Sequence, residues 1–116
     1  MAGNMQTFTS SDQRAAELIS SAVAAAFIVP VCELRARSRR RAPVALARQS
    51  AMYLAHVTLG LSFAEVGRVF GRDRSTAAYA CRTIEDRRNE LRLDTALAEL
   101  EQALRRDLAA TRGALS

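Results

Sequence analysis

The chain has 116 residues, 49% of them hydrophobic, 5% aromatic and none tryptophan. That length fits one domain and excludes two full cores, and the core must be built from Ala, Leu and Val, which suits closely packed helices. All 17 basic residues are arginine and, against 12 acids, leave a net charge of +5; every basic contact can therefore be planar and forked.

Residues 1–11 read as a flexible tail ending in the capping serines Ser10 and Ser11, and residues 12–116 as a single domain. A helix is predicted over 12–27, with Ala16, Ile19, Val23 and Phe27 near the helical period and Pro30 ending it. The apolar run "SAVAAAFIVPV", 21–31, is too short to span a bilayer and lacks the basic leader and cleavage site of a signal peptide, so it reads as a core helix. One helical turn is expected around 31–34. Then comes "RARSRRRAP", five arginines without an acid, a basic loop over 35–42. Pro43 suits the first turn of a second helix reaching about 58, whose Ala47, Ala51, Leu54 and Ala55 make a narrow apolar stripe; Gly60 stops it.

In "LSFAEVGRVFGRDRS", Ser62 and Glu65 have the spacing of a capping box, ahead of a short helix over 63–70 that buries Phe63, Val66 and Phe70. Gly71 and Arg72 make a tight turn, and Asp73 can cap a helix continuing to about 91. Two helices joined by a tight glycine turn, here over 62–91, form the helix-turn-helix pattern. A last helix over 94–112 carries Leu93, Leu97, Leu100, Leu104 and Leu108, either packed on its own domain or serving as a dimer seam. No strand pattern is found.

The helix that starts near Asp73 has two faces. Ala77, Ala80, Cys81 and Ile84 form an apolar one. Ser75, Ala78, Tyr79 and Arg82 lie opposite, with Arg74 and Thr76 beside the first turn. Short or forked side chains near a helix start allow close approach to a groove, and helix N-termini favour phosphate. Charge supports this orientation. Residues 1–82 carry eleven arginines against five acids, a net of +6, and residues 83–116 six against seven, a net of −1, so a polyanion is expected on the basic side.

Catalytic chemistry finds no support. Cys32 and Cys81 read as buried, reduced thiols of a cytoplasmic protein, and one histidine, His56, with two distant cysteines makes no zinc site. Glu85 and Asp86 are adjacent and point apart on a helix. No enzyme, cofactor or metal is expected.

The segment "ARQSAMYLAHVTLGLSFAEVGRVFGRDRSTAAYACRTIED", 47–86, resembles domain IV, the C-terminal DNA-binding domain of the chromosomal replication initiator DnaA. That family shows ARQ-x-AMYLA, then LS-x-x-E-I-G-x-x-FGGRDHTTV-x-HAC-x-x-I. The resemblance implies an all-α fold: a compact helix-turn-helix domain of about five to six helices, of the Trp-repressor/DnaA domain IV type. It implies sequence-specific binding to double-stranded DNA at DnaA-box-like sites, regulating replication initiation or transcription. The helix from Asp73 would read the major groove. An arginine of the basic loop would enter the minor groove, by position Arg40, flanked by Arg39 and Arg41. The family's Asp-His-Thr-Thr falls on Asp73, Arg74, Ser75 and Thr76, and Tyr79 replaces a phosphate-contacting His; Arg72 and Arg82 complete the expected contact set.

Three departures lie on this surface. A single Gly71 stands for two glycines, Arg74 for the His, and Ser75 for the first Thr. The sequence also contains no lysine, hence no G-x-x-x-x-G-K-[ST] phosphate-binding loop. A freestanding relative of the DNA-binding part is expected, nucleoid-associated in the cytoplasm, a monomer or weak homodimer, with DnaA or other replication or transcription factors as further partners. The alternative is an adaptor or dimeric regulator acting on such a factor through the Leu-rich last helix.

Overall fold

The computed structural model describes residues 10–34 and 42–115. Six α-helices follow in order: α1 (Ser10–Phe27), α2 (Val31–Leu34), α3 (Ala42–Leu59), α4 (Phe63–Phe70), α5 (Arg74–Asp86) and α6 (Leu91–Leu115), with a 3-10 turn, Arg87–Asn89, between the last two. No strand occurs among the described residues. The all-α expectation holds. The tail over residues 1–9 lies outside the described residues, but Ser10 and Ser11 belong to α1 rather than to a tail.

The long helix α3 is the axis of the domain, and α1, α2, α4, α5 and α6 all pack against it. Its sequence carries more than a narrow stripe. Five consecutive residues, Ala51, Met52, Tyr53, Leu54 and Ala55, are buried, because neighbours cover the helix on nearly every side. Small residues at Ala47, Ala51 and Ala55 let α1 and α5 approach closely, while Leu54, Ile19, Val23, Ile84, Leu97 and Leu104 supply volume to the same core. Each fully buried aliphatic side chain of this size stabilises the fold by about 1.5–3 kcal/mol. Ser20 and Ser50 lie inside as well, and their hydroxyls have no hydrogen-bond partner.

The helices end by identifiable devices. Gly60, at φ 71°, closes α3, and Arg105 Nη2 donates to the Val57 carbonyl at 3.2 Å, meeting one of the unpaired carbonyls left at a helix C-terminus. At the end of α1 the Val29 amide donates to the Ala24 carbonyl (3.0 Å) and the Ile28 amide to the Ala25 carbonyl (3.4 Å), the paired bonds of a Schellman motif. Such a motif needs a left-handed residue, and Ile28 takes that place at φ 56°. A β-branched residue there is strained.

The helix-turn-helix ends sooner than the expected boundary near 91. Beyond Ile84 the next position on the buried face of α5 is Arg88, a guanidinium where the core would need an apolar group. The helix instead stops at Asp86 and turns. Arg87 holds Glu90 through Nε–Oε2 at 2.9 Å and Nη2–Oε1 at 3.0 Å, and Glu90 turns extended, at ψ 113°. A continued helix would also have buried Leu91, which is 78% exposed. Leu93, Leu97 and Leu104 of α6 are buried in the chain's own core, with Leu100 packed against it, so the leucine stripe serves intradomain packing.

Candidate nucleic-acid interface

The pair α4–α5 is set in place from its first residue. Ser62 Oγ accepts from the Glu65 amide at 3.1 Å, and Glu65 Oε1 accepts from the Ser62 amide at 2.8 Å; the capping box seen in the sequence is complete. Just before it, His56 Nδ1 donates to the Leu61 carbonyl at 2.7 Å, and its ring lies 4.7 Å from that of Phe63. His56 thus ties the end of α3 to the start of α4.

The turn between the helices is a second Schellman motif. The Arg72 amide donates to the Gly67 carbonyl at 2.7 Å and the Gly71 amide to the Arg68 carbonyl at 3.3 Å. Gly71 takes the left-handed conformation at φ 68°, so one glycine suffices to reverse the chain. Gly67 serves a different need. A Cβ there would stand 2.6 Å from the Arg72 carbonyl oxygen, so the turn folds back directly over the last turns of α4. The expectation at this turn centred on Gly71 and missed Gly67; its signal was a glycine inside a short helix.

Asp73 is the N-cap residue of α5, with extended backbone at φ −71° and ψ 158°, but its side chain makes no capping hydrogen bond. The Asp73 side chain therefore leaves the first-turn amides of α5 uncapped, at the end of the helix where Asp73, Arg74, Ser75 and Thr76 are exposed. Free amides and the helix dipole favour an anion at such an end. Tyr79, 61% exposed, and Arg82 extend the surface along the helix; Arg72 is half-buried in the turn. The opposite face holds Ala77, Ala80, Cys81 and Ile84, all buried. Ala78 departs from the expected face: it is buried, only 9% exposed, because its methyl group is too short to clear the neighbouring side chains. Of the expected residues, Asp73, Arg74, Ser75, Thr76, Tyr79 and Arg82 are thus exposed, and Glu85 and Asp86 are exposed farther along the helix. Arg72, Asp73, Arg74 and Arg82 sum to +2, which Glu85 and Asp86 offset at the C-terminal end.

Arg39, Arg40 and Arg41, with the other residues up to 41 of the expected basic loop over 35–42, lie outside the described residues, and Ala42 already belongs to α3. What leads into that segment is described. Arg48 of α3 reaches back to donate from Nε to the Leu34 carbonyl (3.2 Å) and from Nη2 to the Glu33 carbonyl (2.9 Å), fixing the end of α2.

Several arginines therefore serve the fold. The clearest is Arg88, which bonds Asp94 through Nε, and the Tyr53 hydroxyl (2.9 Å) and Glu101 (3.2 Å) through Nη1, with its guanidinium 5.8 Å from the Tyr53 ring centre. Burial alone would lower its pKa. The hydrogen bonds to Asp94 and Tyr53 and the Glu101 charge outweigh that and hold it raised.

The two cysteines differ, which corrects the expectation that both are buried. Cys81 is buried, its Sγ 3.9 Å from the Met52 carbonyl. Desolvation, with a smaller contribution from the Glu85 charge, pushes its thiol up to about 11. Cys32 is exposed, because α2 is a single turn and only Leu34 of it enters the core. Among the described residues no group of three or more His, Cys, Asp or Glu side chains could hold a metal, and no helix is long and apolar enough to cross a membrane.

Known proteins resemble this chain in sequence and fold. The sequence profile described as "Bacterial dnaA protein helix-turn-helix" matches residues 16–84. The "Chromosomal replication initiator protein DnaA 2" of Chlamydia trachomatis is 44% identical over 71 residues, 61% of this chain and 15% of that protein. The "Chromosomal replication initiator protein DnaA" of Thermomicrobium roseum is 38% identical over 105 residues, 90% of this chain and 20% of that protein, and that of Bordetella pertussis 39% identical over 98, covering 83% and 21%. The chain thus spans about a fifth or less of the length of these relatives. A crystal structure of a "DNA replication initiation factor" superposes with a TM-score of 0.75 at 24% identity, covering 84% of this chain and 30% of that one, which shows the fold. The profile runs from Ala16 of α1 to Ile84 of α5 and so contains both Gly67 and the whole turn that aims α5: the chain belongs to the bacterial DnaA helix-turn-helix family.

Proposed function

We propose that the chain is a sequence-specific double-stranded DNA-binding module that acts at DnaA-box-like sites and regulates replication initiation or transcription, without catalytic chemistry of its own. One observation carries this reading: α5 is anchored by Ala77, Ala80, Cys81 and Ile84 and leaves Arg74, Ser75, Thr76, Tyr79 and Arg82 exposed from its uncapped N-terminus onward. A helix held in this way suits the major groove, N-terminal residues first. Arg74 stands at the first helical position, where a fork can reach guanine O6 and N7 and discriminate by roughly 1–3 kcal/mol against other bases. The carboxylate of Asp73, not used as a cap, is a suitable acceptor for a cytosine amino group. Arg72, Arg82 and the arginines at 39, 40 and 41 would supply phosphate and minor-groove contacts, with the protein placed at the nucleoid in the cytoplasm.

Arg74 and Ser75 set the base preference, so the preferred site differs from a standard DnaA box at the positions they face. Selection of bound sequences from random duplex DNA tests this directly. A DnaA-box-related consensus with a changed base under Arg74 is expected. Recovery of no consensus, or a titration without salt dependence, would refute the proposal. With roughly five to seven phosphate contacts the log–log salt slope should be about −4 to −6.

A further inference from the structure

Ser75, Tyr79, Arg82 and Asp86 of α5 stand at i, i+4, i+7 and i+11, one face of the helix, and all four are exposed. The row does not keep one sign. It carries the Arg82 cation and then ends on the Asp86 carboxylate, with Glu85 exposed beside it. Asp86 does not serve the fold. It is the last residue of α5, at the end where the helix dipole disfavours an anion. Among the described residues its side chain has no ion-pair or hydrogen-bond partner. The two arginines that follow are committed elsewhere, Arg87 to Glu90 and Arg88 to Asp94 and Glu101. Arg82, one turn earlier, does not pair with it either.

We infer that Asp86 is a specificity-determining residue of the DNA-binding surface and acts by repulsion: its carboxylate disfavours complexes in which α5 lies along the phosphate backbone, and so separates specific from random DNA. The inference rests on the proposed entry of α5 into the major groove. Ser75 and Asp86 lie roughly 17 Å apart along the helix axis, whereas the groove is about 12 Å wide and about 8.5 Å deep. When Ser75 is at the base edges and the helix is inclined, the last turn stands out of the groove, away from phosphate. A complex without base contacts is held by phosphates alone and has no fixed orientation. In it α5 also lies flat, and Asp86 then meets a phosphate at close range. Two like charges about 6 Å apart in water weaken binding about threefold. An unfavourable contact confined to the wrong complex raises specificity without any added contact in the right one.

Asp86→Asn in the full chain tests this, in competition titrations with the duplex selected from random DNA and with a random duplex of equal length. Affinity for the random duplex should rise about threefold or more and that for the selected duplex less than about 1.5-fold, so the ratio of the two narrows about twofold or more. Melting should be unchanged or higher, because a charge opposed to the helix dipole is gone. Glu17→Gln controls for charge alone. Glu17 is exposed on α1, which does not pack on α5, and this variant should leave the ratio unchanged. Equal gains on both duplexes, no gain on either, or the same narrowing from Glu17→Gln overturns the inference and leaves the DNA reading standing. A parent chain that selects no consensus overturns the DNA reading, and this inference with it.

Discussion

A methyl group on Gly67 would stand 2.6 Å from the carbonyl oxygen of Arg72 and 3.1 Å from the carbonyl of Asp73. The obstacle is backbone, not the end of a flexible side chain, so the turn itself would have to shift. Gly67→Ala gains up to about 1 kcal/mol in helix propensity but loses about 1–3 kcal/mol to overpacking. It should destabilise the domain on balance, by roughly 1–2 kcal/mol in urea titration. If α5 reads DNA, the same variant should also lose specific affinity more than its stability loss accounts for, because the turn sets the angle of α5. Unchanged stability would show that the close approach is not maintained in solution.

Arg88 closes the corner between α5 and α6, and truncating it leaves two carboxylates and a phenol without their donor. Arg88→Ala is expected to cost about 1.5–3 kcal/mol, the range for hydrogen bonds to charged groups. Arg88→Lys should recover only part of this, since an ammonium cannot serve Asp94, Glu101 and Tyr53 with a planar fork. Chemical denaturation of the three proteins measures both effects.

The thiols give a prediction with a defined sign. Cys32 should react with a disulfide reagent at native pH, while Cys81 should react only after unfolding. Folding raises the Cys81 thiol from 9.0 to about 11, so above pH 9 the unfolded chain releases a proton that the folded chain keeps. The contribution is fully present below pH 9 and is lost as the pH rises towards 11. Wild type should lose stability across that window faster than Cys81→Ala, and denaturation midpoints from pH 8 to 11 would reveal the difference. Parallel curves would contradict the buried thiol.

Ser20 and Ser50 place hydroxyls in the core with no partner. Replacing either with alanine removes an uncompensated polar group and improves helix propensity. Each variant should be neutral or more stable by up to about 1–2 kcal/mol. A loss of 1 kcal/mol or more in either would point to a hydrogen-bond partner such as an internal water.

Arg74→Ala tests the proposed reading of DNA. Binding to the selected site should fall by about 1–3 kcal/mol, with much less change on random duplex, because Arg74 would face a base edge and not a phosphate. Arg82→Ala should weaken both and reduce the salt slope by about one. Competition titrations at two salt concentrations distinguish the two patterns.

Signals confined to a few neighbouring residues were readable from the sequence. Ser62 and Glu65 are three apart, Gly60 and Gly71 stop helices by their own backbone freedom, and the two faces of α5 follow from its period. What depended on distant partners was not readable. The end of α5 is set by Arg88 meeting Tyr53, 35 residues earlier, and Glu101, 13 later. Arg48 finds its acceptors 14 and 15 residues upstream. Burial of Ala78 depends on the height of its neighbours, and exposure of Cys32 on how little of α2 reaches the core. At the candidate interface, sequence supplied the exposed positions apart from Ala78, while the missing side-chain cap at Asp73 and the close approach at Gly67 required coordinates.

The side chains of α5 divide into two sets with almost no overlap. Those that hold the helix are Ala77, Ala80, Cys81 and Ile84, and those left outside are Arg74, Ser75, Thr76, Tyr79, Arg82, Glu85 and Asp86. Surface substitutions away from packing and caps usually change stability by no more than about 0.5 kcal/mol. The outer set can therefore drift, or be randomised in a library, almost independently of the scaffold. If α5 reads DNA as proposed, a lineage could pass through many recognition alphabets at positions 74, 75, 79 and 82 without an unfolded intermediate, and a designer could retarget the domain by the same route.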